Sequence, residues 1–350
     1  MNILEYVDAV GDFTFEEKRF NEADNLVFCS LLYLEYSCTS INNYEHTLGF
    51  IGKQFLSKNS YRSVKKLMAQ KTAYKLLRKV IKKRRYKDII IHDYIYSCNI
   101  DKQFCAVMYR INKGLEYICF EGTDEMLSGW KEDFALSYKF PVPSQEDAIK
   151  YANKHIKLKG PNIIMGGHSK GGNLALVAGM YTNILKQHKI KRIYSFDGPG
   201  LRSEEFNSRE YKRIKKKYMH YIVDYSVFGV LLRNDIHGVV QTTKKNFFAH
   251  ELSNWVVDEN GIVKSIQSPS SADLMKSSRE WLDSHSDIDK ENVVKIIFGI
   301  FEECEIKKLY EIYSFSNIRK LIVNMKNIDE YTKKVVIDMI KYNFFNKKNK

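Results

Sequence analysis

The chain has no run of about 20 apolar residues that could cross a bilayer as a helix; its longest apolar stretch, Val293 to Phe301, is interrupted by Lys295. The opening Met1-to-Asp8 segment carries acids where an export signal would carry basic residues before an apolar run. Six cysteines (Cys29, Cys38, Cys98, Cys105, Cys119 and Cys304) include no C-x-x-C pair. That spacing excludes the usual zinc clusters and fits reduced, mostly buried thiols, so the expected location is the cytoplasm. His250-Glu251 is not followed by a second histidine at zincin spacing, and both the P-loop and the Rossmann fingerprint are missing. No cofactor or metal is expected. Internal repeats are absent as well.

What is present is ordinary globular material: 350 residues, 44% hydrophobic and 28% charged, enough for a sizeable core. The formal charge of +14 is unevenly placed. Between Arg62 and Lys87 there are 12 Lys or Arg and no acid, with Leu67, Met68, Tyr74, Leu77 and Ile81 recurring at helical spacing. The spacing predicts a basic amphipathic helix or helix pair. It is either a solvated face over the core or a contact with an anionic membrane surface. Nucleic-acid binding ranks last, because no aromatic platform or nucleic-acid motif accompanies the charge.

Three β-branched and aromatic runs, 89–96, 104–109 and 115–120, read as consecutive strands, with Asn112-Lys113-Gly114 as a hairpin turn. A helix is expected from Ser144 to about Lys159, then a strand from Asn162 to Met165. A helix from about Lys170 to Gln187, a strand from Lys191 to Phe196, a helix from about Glu204 to Tyr218 and a strand from His220 to Val223 complete the pattern. Alternation of this kind implies an α/β fold with a mostly parallel sheet flanked by helices. The Ser/Pro-rich joint around 265–271 divides a main domain, 1–268 with an N-terminal helical layer at 1–88, from a helical C-terminal extension at 269–350.

The turn between the Asn162 strand and the Lys170 helix reads Gly167-His168-Ser169-Lys170-Gly171. A G-x-S-x-G turn placed between a buried strand and a small-residue helix holds its serine strained and exposed at the carboxyl end of the sheet. It also sets the Lys170 amide at a helix N-terminus, where it can donate to an oxyanion. The turn therefore predicts an α/β-hydrolase with Ser169 as nucleophile. The base must come from a later histidine. His188, His220, His237 and His285 fall on a far helix end, a strand start, a hairpin and the helical extension, whereas His250 lies in a loop before the apolar segment around Trp255. Asp224 and Asp197 both end strands, where sites of open parallel sheets assemble. Asp224 is preferred as the orienting acid and Asp197 is the alternative, more suited to shaping the turn with Gly198, Pro199 and Gly200.

These segments carry a family resemblance. Phe120-Glu121-Gly122-Thr123-Asp124, Trp130 and Asp133, the Gly167-to-Asn173 turn and Ser195-to-Gly200 together resemble the class 3 lipase-like proteins, in particular the bacterial Mbeg1-like branch. The opening Asn2-to-Tyr6, Phe13-to-Phe15 and Phe20-to-Asp24 segments are similar to that branch too. The resemblance extends from residue 2 to about 260. It implies that Thr123 supplies the second oxyanion donor, that His250 occupies the terminal histidine position, and that Val223-to-Gly229 surrounds the third triad member. Glu121 stands where those lipases carry arginine. The implied activity is hydrolysis of carboxylic esters, of small molecules or of lipids and phospholipids, by a Ser-His-Asp triad. The rival reading is a catalytically silent scaffold of the same fold that binds a partner or a membrane.

Overall fold

The computed structural model describes residues 1–306, apart from positions 43, 65–67, 100–101, 124–126 and 227, together with Glu330. Its strands in chain order are β1 (His46–Thr47), β2 (Ile90–Cys98), β3 (Gln103–Asn112), β4 (Leu115–Phe120), β5 (Asn162–His168), β6 (Ile190–Phe196), β7 (Tyr218–Val223), β8 (Ile236–Val240), β9 (Val257–Asp258), β10 (Gly261–Ile262) and β11 (Lys264–Ser265). Nine of them form one sheet in the order β1-β2-β3-β4-β5-β6-β7-β8-β11, and β9 and β10 make a separate hairpin. The sheet is mixed rather than mostly parallel. Strands β4 to β8 run parallel, whereas β1 to β4 and the β8–β11 edge pair antiparallel. The short Asn112-Lys113-Gly114 connection forces the antiparallel pairing of β3 with β4, as its turn chemistry predicts.

Period-two alternation sends each strand's side chains to two cores. Along β3, Cys105, Val107 and Tyr109 join one cluster, and Phe104, Ala106 and Met108 join the other. The first cluster lies under the N-terminal helices Ile3–Val10, Glu22–Leu31, Leu48–Lys58 and Met68–Val80. The second lies under Pro143–His155, Lys170–Tyr181 and Arg209–Ile214. Two helices end earlier than expected. Pro143–His155 starts at its proline and stops before Lys159, and Lys170–Tyr181 stops because Thr182 and Gln187 side chains bond the Ala178, Gly179 and Met180 carbonyls. The expected 204–218 helix is broken by Ser208, whose hydroxyl caps a new helix at Tyr211.

The basic stretch folds as Tyr61–Val64, Met68–Val80 and Arg84–Lys87. Much of its charge is used internally. Arg85 is buried and bidentate to Asp24 (2.7 and 2.6 Å), with Tyr86 Oη on the same carboxylate. Lys79 pairs with Asp8, Lys83 with Asp12 at 2.9 Å, and Arg84 reaches Glu17 at 3.9 Å. These acids all belong to the first 24 residues, so the ion pairs tie the stretch to the opening helices within the N-terminal layer. Removing one partner of the Arg85–Asp24 pair costs about 3–5 kcal/mol.

The helices Pro269–Ser284 and Asp287–Glu303 start at Ser268 and Ser286 caps. Val293, Val294, Ile297 and Phe298 pack with Trp130 of the Leu127–Ala135 helix and with Phe228. The last expected helical stretch, beyond 306, lies outside the described residues except for Glu330. Among the described residues, no helix is long and apolar enough to cross a membrane.

Candidate active site

Strand β5 ends in a turn that only its glycines permit. A Cβ on Gly167 would collide with the Gly171 backbone and the Phe120 carbonyl, and a Cβ on Gly171 would collide with that same carbonyl. Between them Ser169 is held at φ 55°, ψ −133°, immediately before the Lys170–Tyr181 helix. Positive φ in a non-glycine residue costs about 1–3 kcal/mol and persists only where the surroundings enforce it. Here the Ser169 amide donates to the Phe196 carbonyl at 2.9 Å, and the Ser169 carbonyl accepts from Gly172 at 2.9 Å.

The loop after β4 approaches the same turn, since a Cβ on Gly122 would sit 2.5 Å from the His168 carbonyl oxygen and 3.0 Å from Ser169 Cβ. Thr123 follows it and is buried, and its hydroxyl has no hydrogen-bond partner among the described residues. Asp124, the next residue of the motif, lies outside the described residues. The Lys170 side chain points away from the helix N-terminus into the protein. Its ammonium, 1% exposed, donates to Glu132 Oε2 at 2.8 Å and to the Gln103 carbonyl at 3.0 Å. Glu132 Oε1 in turn accepts from the Ser144 amide at 2.9 Å. This buried pair ties the helix after the Thr123 loop to the elbow, leaving the Lys170 amide available at the helix start.

His250 ends a 3₁₀ turn, Asn246–His250, and its Nδ1 lies 2.6 Å from Asp197 Oδ2. Asp197 is fully buried at φ 54° after β6, and its other oxygen accepts from the Val223 amide at 3.2 Å. The preference for Asp224 is corrected by this geometry. Asp224 Oδ1 accepts from the Ser268 amide and hydroxyl, each at 3.0 Å, and so fastens the start of the Pro269–Ser284 helix instead of facing His250. Both aspartates end neighbouring parallel strands, but the reversal at Gly198-Pro199-Gly200 turns the Asp197 carboxylate inward. The other histidines that follow Ser169 are elsewhere: His220 and His237 within β7 and β8, His188 exposed in a 3₁₀ turn, and His285 capping a helix.

The His250 ring is packed between two others, with centroids 4.3 Å from His168 and 4.3 Å from Phe228. Phe228 continues to Trp130 at 4.7 Å. No hydrogen bond joins Ser169 Oγ to His250 in this arrangement, and Ser169 is only 5% exposed. Among the described residues no cluster of His, Cys, Asp or Glu is arranged to hold a metal.

The same segments identify the chain. A model of the Mbeg1-like family matches residues 65–299. The chain belongs to the Mbeg1-like family. The match begins inside the basic stretch and runs past the Ser/Pro-rich joint, through most of the Asp287–Glu303 helix. No curated protein sequence matches this Mbeg1-like chain significantly. Among solved structures it is similar to M37 lipase (14% identity, TM-score 0.34, covering 60% of this chain and 70% of that one). A Rhizomucor miehei lipase–propeptide complex (12%, 0.34, 59% and 62%) and a fungal lipase–inhibitor complex (11%, 0.37, 63% and 78%) are similar at the same level.

Two side chains of the site escaped sequence reasoning. His168 Nε2 donates to the His250 carbonyl at 2.9 Å, which leaves Nδ1 to accept from Tyr33 Oη at 2.7 Å. Burial, reinforced by His250, holds the His168 imidazole well below its ordinary pKa, so it is neutral. Burial and then Glu121 push the Tyr33 hydroxyl up, keeping it a donor. Tyr33 belongs to the N-terminal layer, and no local pattern announced that it would reach the elbow.

Proposed function

We propose that this Mbeg1-like protein is a serine hydrolase of the α/β-hydrolase type that cleaves carboxylic esters. Ser169 attacks the carbonyl, His250 accepts its proton and returns it to the leaving alcohol, and Asp197 holds the imidazole in the required tautomer. The Lys170 and Thr123 amides stabilise the tetrahedral oxyanion, and water then releases the acid from the acyl-enzyme. The observation carrying this reading is the strained Ser169 turn beside the 2.6 Å His250–Asp197 pair. With Nδ1 engaged by the carboxylate, Nε2 is the nitrogen left to serve the serine, after a side-chain adjustment that brings Oγ within reach. Small-molecule esters and lipid or phospholipid esters remain the substrate classes to compare.

The near-complete cover of Ser169 favours one rival, a silent scaffold of the same fold. A fluorophosphonate probe separates the two, because it forms a covalent bond only with an activated serine. Labelling of the wild-type protein that disappears in Ser169→Ala supports the hydrolase. No labelling of a folded wild-type protein favours the scaffold.

A further inference from the structure

A second concentration of cationic charge lies at the end of the sheet away from Ser169. Three segments enter the amino ends of β5, β6 and β7, namely residues 154–160, 182–192 and 209–217. They carry 13 Lys or Arg against one acid, Glu210. Hydrogen bonds knit them side by side: Asn183 N donates to Asn153 Oδ1 at 2.8 Å, Lys186 Nζ to the Asn153 carbonyl at 2.6 Å, and Lys217 Nζ to the Gln187 carbonyl at 2.7 Å. Lys217 is held below its ordinary pKa by partial burial and by Lys191, as expected where cations are crowded. The Arg213–Glu210 (3.3 Å) and Lys215–Asp235 (2.9 Å) pairs neutralise little of this rim. By contrast, the Arg62–Lys87 stretch spends Lys79, Lys83, Arg84 and Arg85 on N-terminal acids.

The same rim exposes three aliphatic side chains among its cations: Leu158 (49%), Ile184 (63%) and Leu185 (66%). We propose that the amino-terminal rim of the parallel strands docks on an anionic lipid bilayer. Lysines around the loops meet the headgroup charge, and Leu158, Ile184 and Leu185 enter the boundary with the acyl chains. Cations set around inserted aliphatic side chains are the pairing that such a surface rewards. A nucleic acid would be met by stacking platforms, and these segments expose no Phe, Tyr or Trp, their one aromatic of that kind, Tyr211, being buried. The orientation leaves the Ser169 end facing away from the bilayer. The inference therefore stands apart from the proposed hydrolysis.

The full chain is tested by co-sedimentation with vesicles of phosphatidylcholine alone or with 30% phosphatidylglycerol, at low and high salt. Binding is expected only with the anionic vesicles and is expected to weaken with salt. Replacing Lys157, Lys159, Lys191 and Lys216 with glutamine weakens it by up to about 1,000-fold at low salt. Replacing Leu158, Ile184 and Leu185 with serine weakens it as well. All seven positions are surface positions remote from Ser169, so thermal stability and fluorophosphonate reactivity stay at the wild-type level in both variants. The comparison set replaces the exposed Arg62, Lys75, Arg78 and Lys82 with glutamine, and it leaves vesicle binding within a few-fold of wild type. The proposal is overturned by absence of pelleting, or by a loss confined to the comparison set. It is also overturned if the serine variant binds vesicles normally while the glutamine variant loses binding to a single-stranded oligonucleotide.

Discussion

Asp197 Oδ2 lies 2.6 Å from His250 Nδ1, although 53 residues separate the two in sequence. An uncharged carboxamide in place of Asp197 would still hydrogen-bond the ring but could stabilise the wrong tautomer and would not offset the imidazolium formed in the reaction. Asp197→Asn is expected to lower kcat on a short-chain activated ester by roughly 10³–10⁴-fold with little change in KM. Asp224→Asn is expected to keep most activity and to loosen the Pro269–Ser284 helix, read as faster amide exchange there, because Asp224 holds Ser268. Steady-state kinetics of both variants decide the assignment, and a larger loss in Asp224→Asn would return the acid to that position.

A second buried histidine makes stability depend on pH. His220 is fully buried in β7, its Nε2 donates to the Gly229 carbonyl at 3.2 Å, and burial lowers its pKa to about 4. In the unfolded chain the ordinary value is about 6.5. Below that pH the unfolded state takes up a proton that the folded state refuses. The contribution is complete above about pH 6.5 and is lost as pH falls toward about 4, at about 1.4 kcal/mol per pH unit and about 3 kcal/mol in all. His168 acts in the same direction, whereas His92, where burial is outweighed by Glu116 and Asp93, works the other way. Urea unfolding at pH 7 and pH 5 should show a pH slope smaller by about one proton in His220→Gln than in wild type. An unchanged slope would mean that His220 titrates normally in the folded state.

Local chemistry made the elbow legible. Gly167, Ser169 and Gly171 report a steric requirement that acts within five residues, and the strand runs at 89–96, 104–109 and 115–120 report a period-two pattern that β2, β3 and β4 reproduce. The acid was less legible because the sequence shows that Asp197 and Asp224 each end a strand but not which way the following turn aims the carboxylate. Tyr33 and Glu132 were hidden for a different reason. Each reaches the elbow through tertiary packing, one from a helical layer over 100 residues away and the other through a buried ion pair with Lys170, whose place in the motif points only to its amide. The basic stretch is partly legible in a related way. Its charge density is visible, but the acids at Asp8, Asp12, Glu17 and Asp24 that pair with Lys79, Lys83, Arg84 and Arg85 are distant in sequence.

The strain at Ser169 separates two substitutions that both remove the hydroxyl. Ser169→Ala keeps a Cβ at φ 55°, ψ −133°, so the backbone cost of about 1–3 kcal/mol stays in the folded state. Ser169→Gly removes that cost but adds about 0.5–1 kcal/mol of chain entropy lost on folding. Strain relief exceeds the entropy term over most of these ranges, leaving the glycine variant about 1 kcal/mol more stable than the alanine variant. Both variants lose fluorophosphonate labelling, so activity cannot distinguish them and only stability can. Thermal unfolding should place Ser169→Gly about 2 °C above Ser169→Ala, with alanine close to wild type because it changes neither the backbone angles nor the amide contact to Phe196. A glycine variant that melts below the alanine variant would mean that the turn is relaxed at this position, and that the geometry at Ser169 has no stored cost to release.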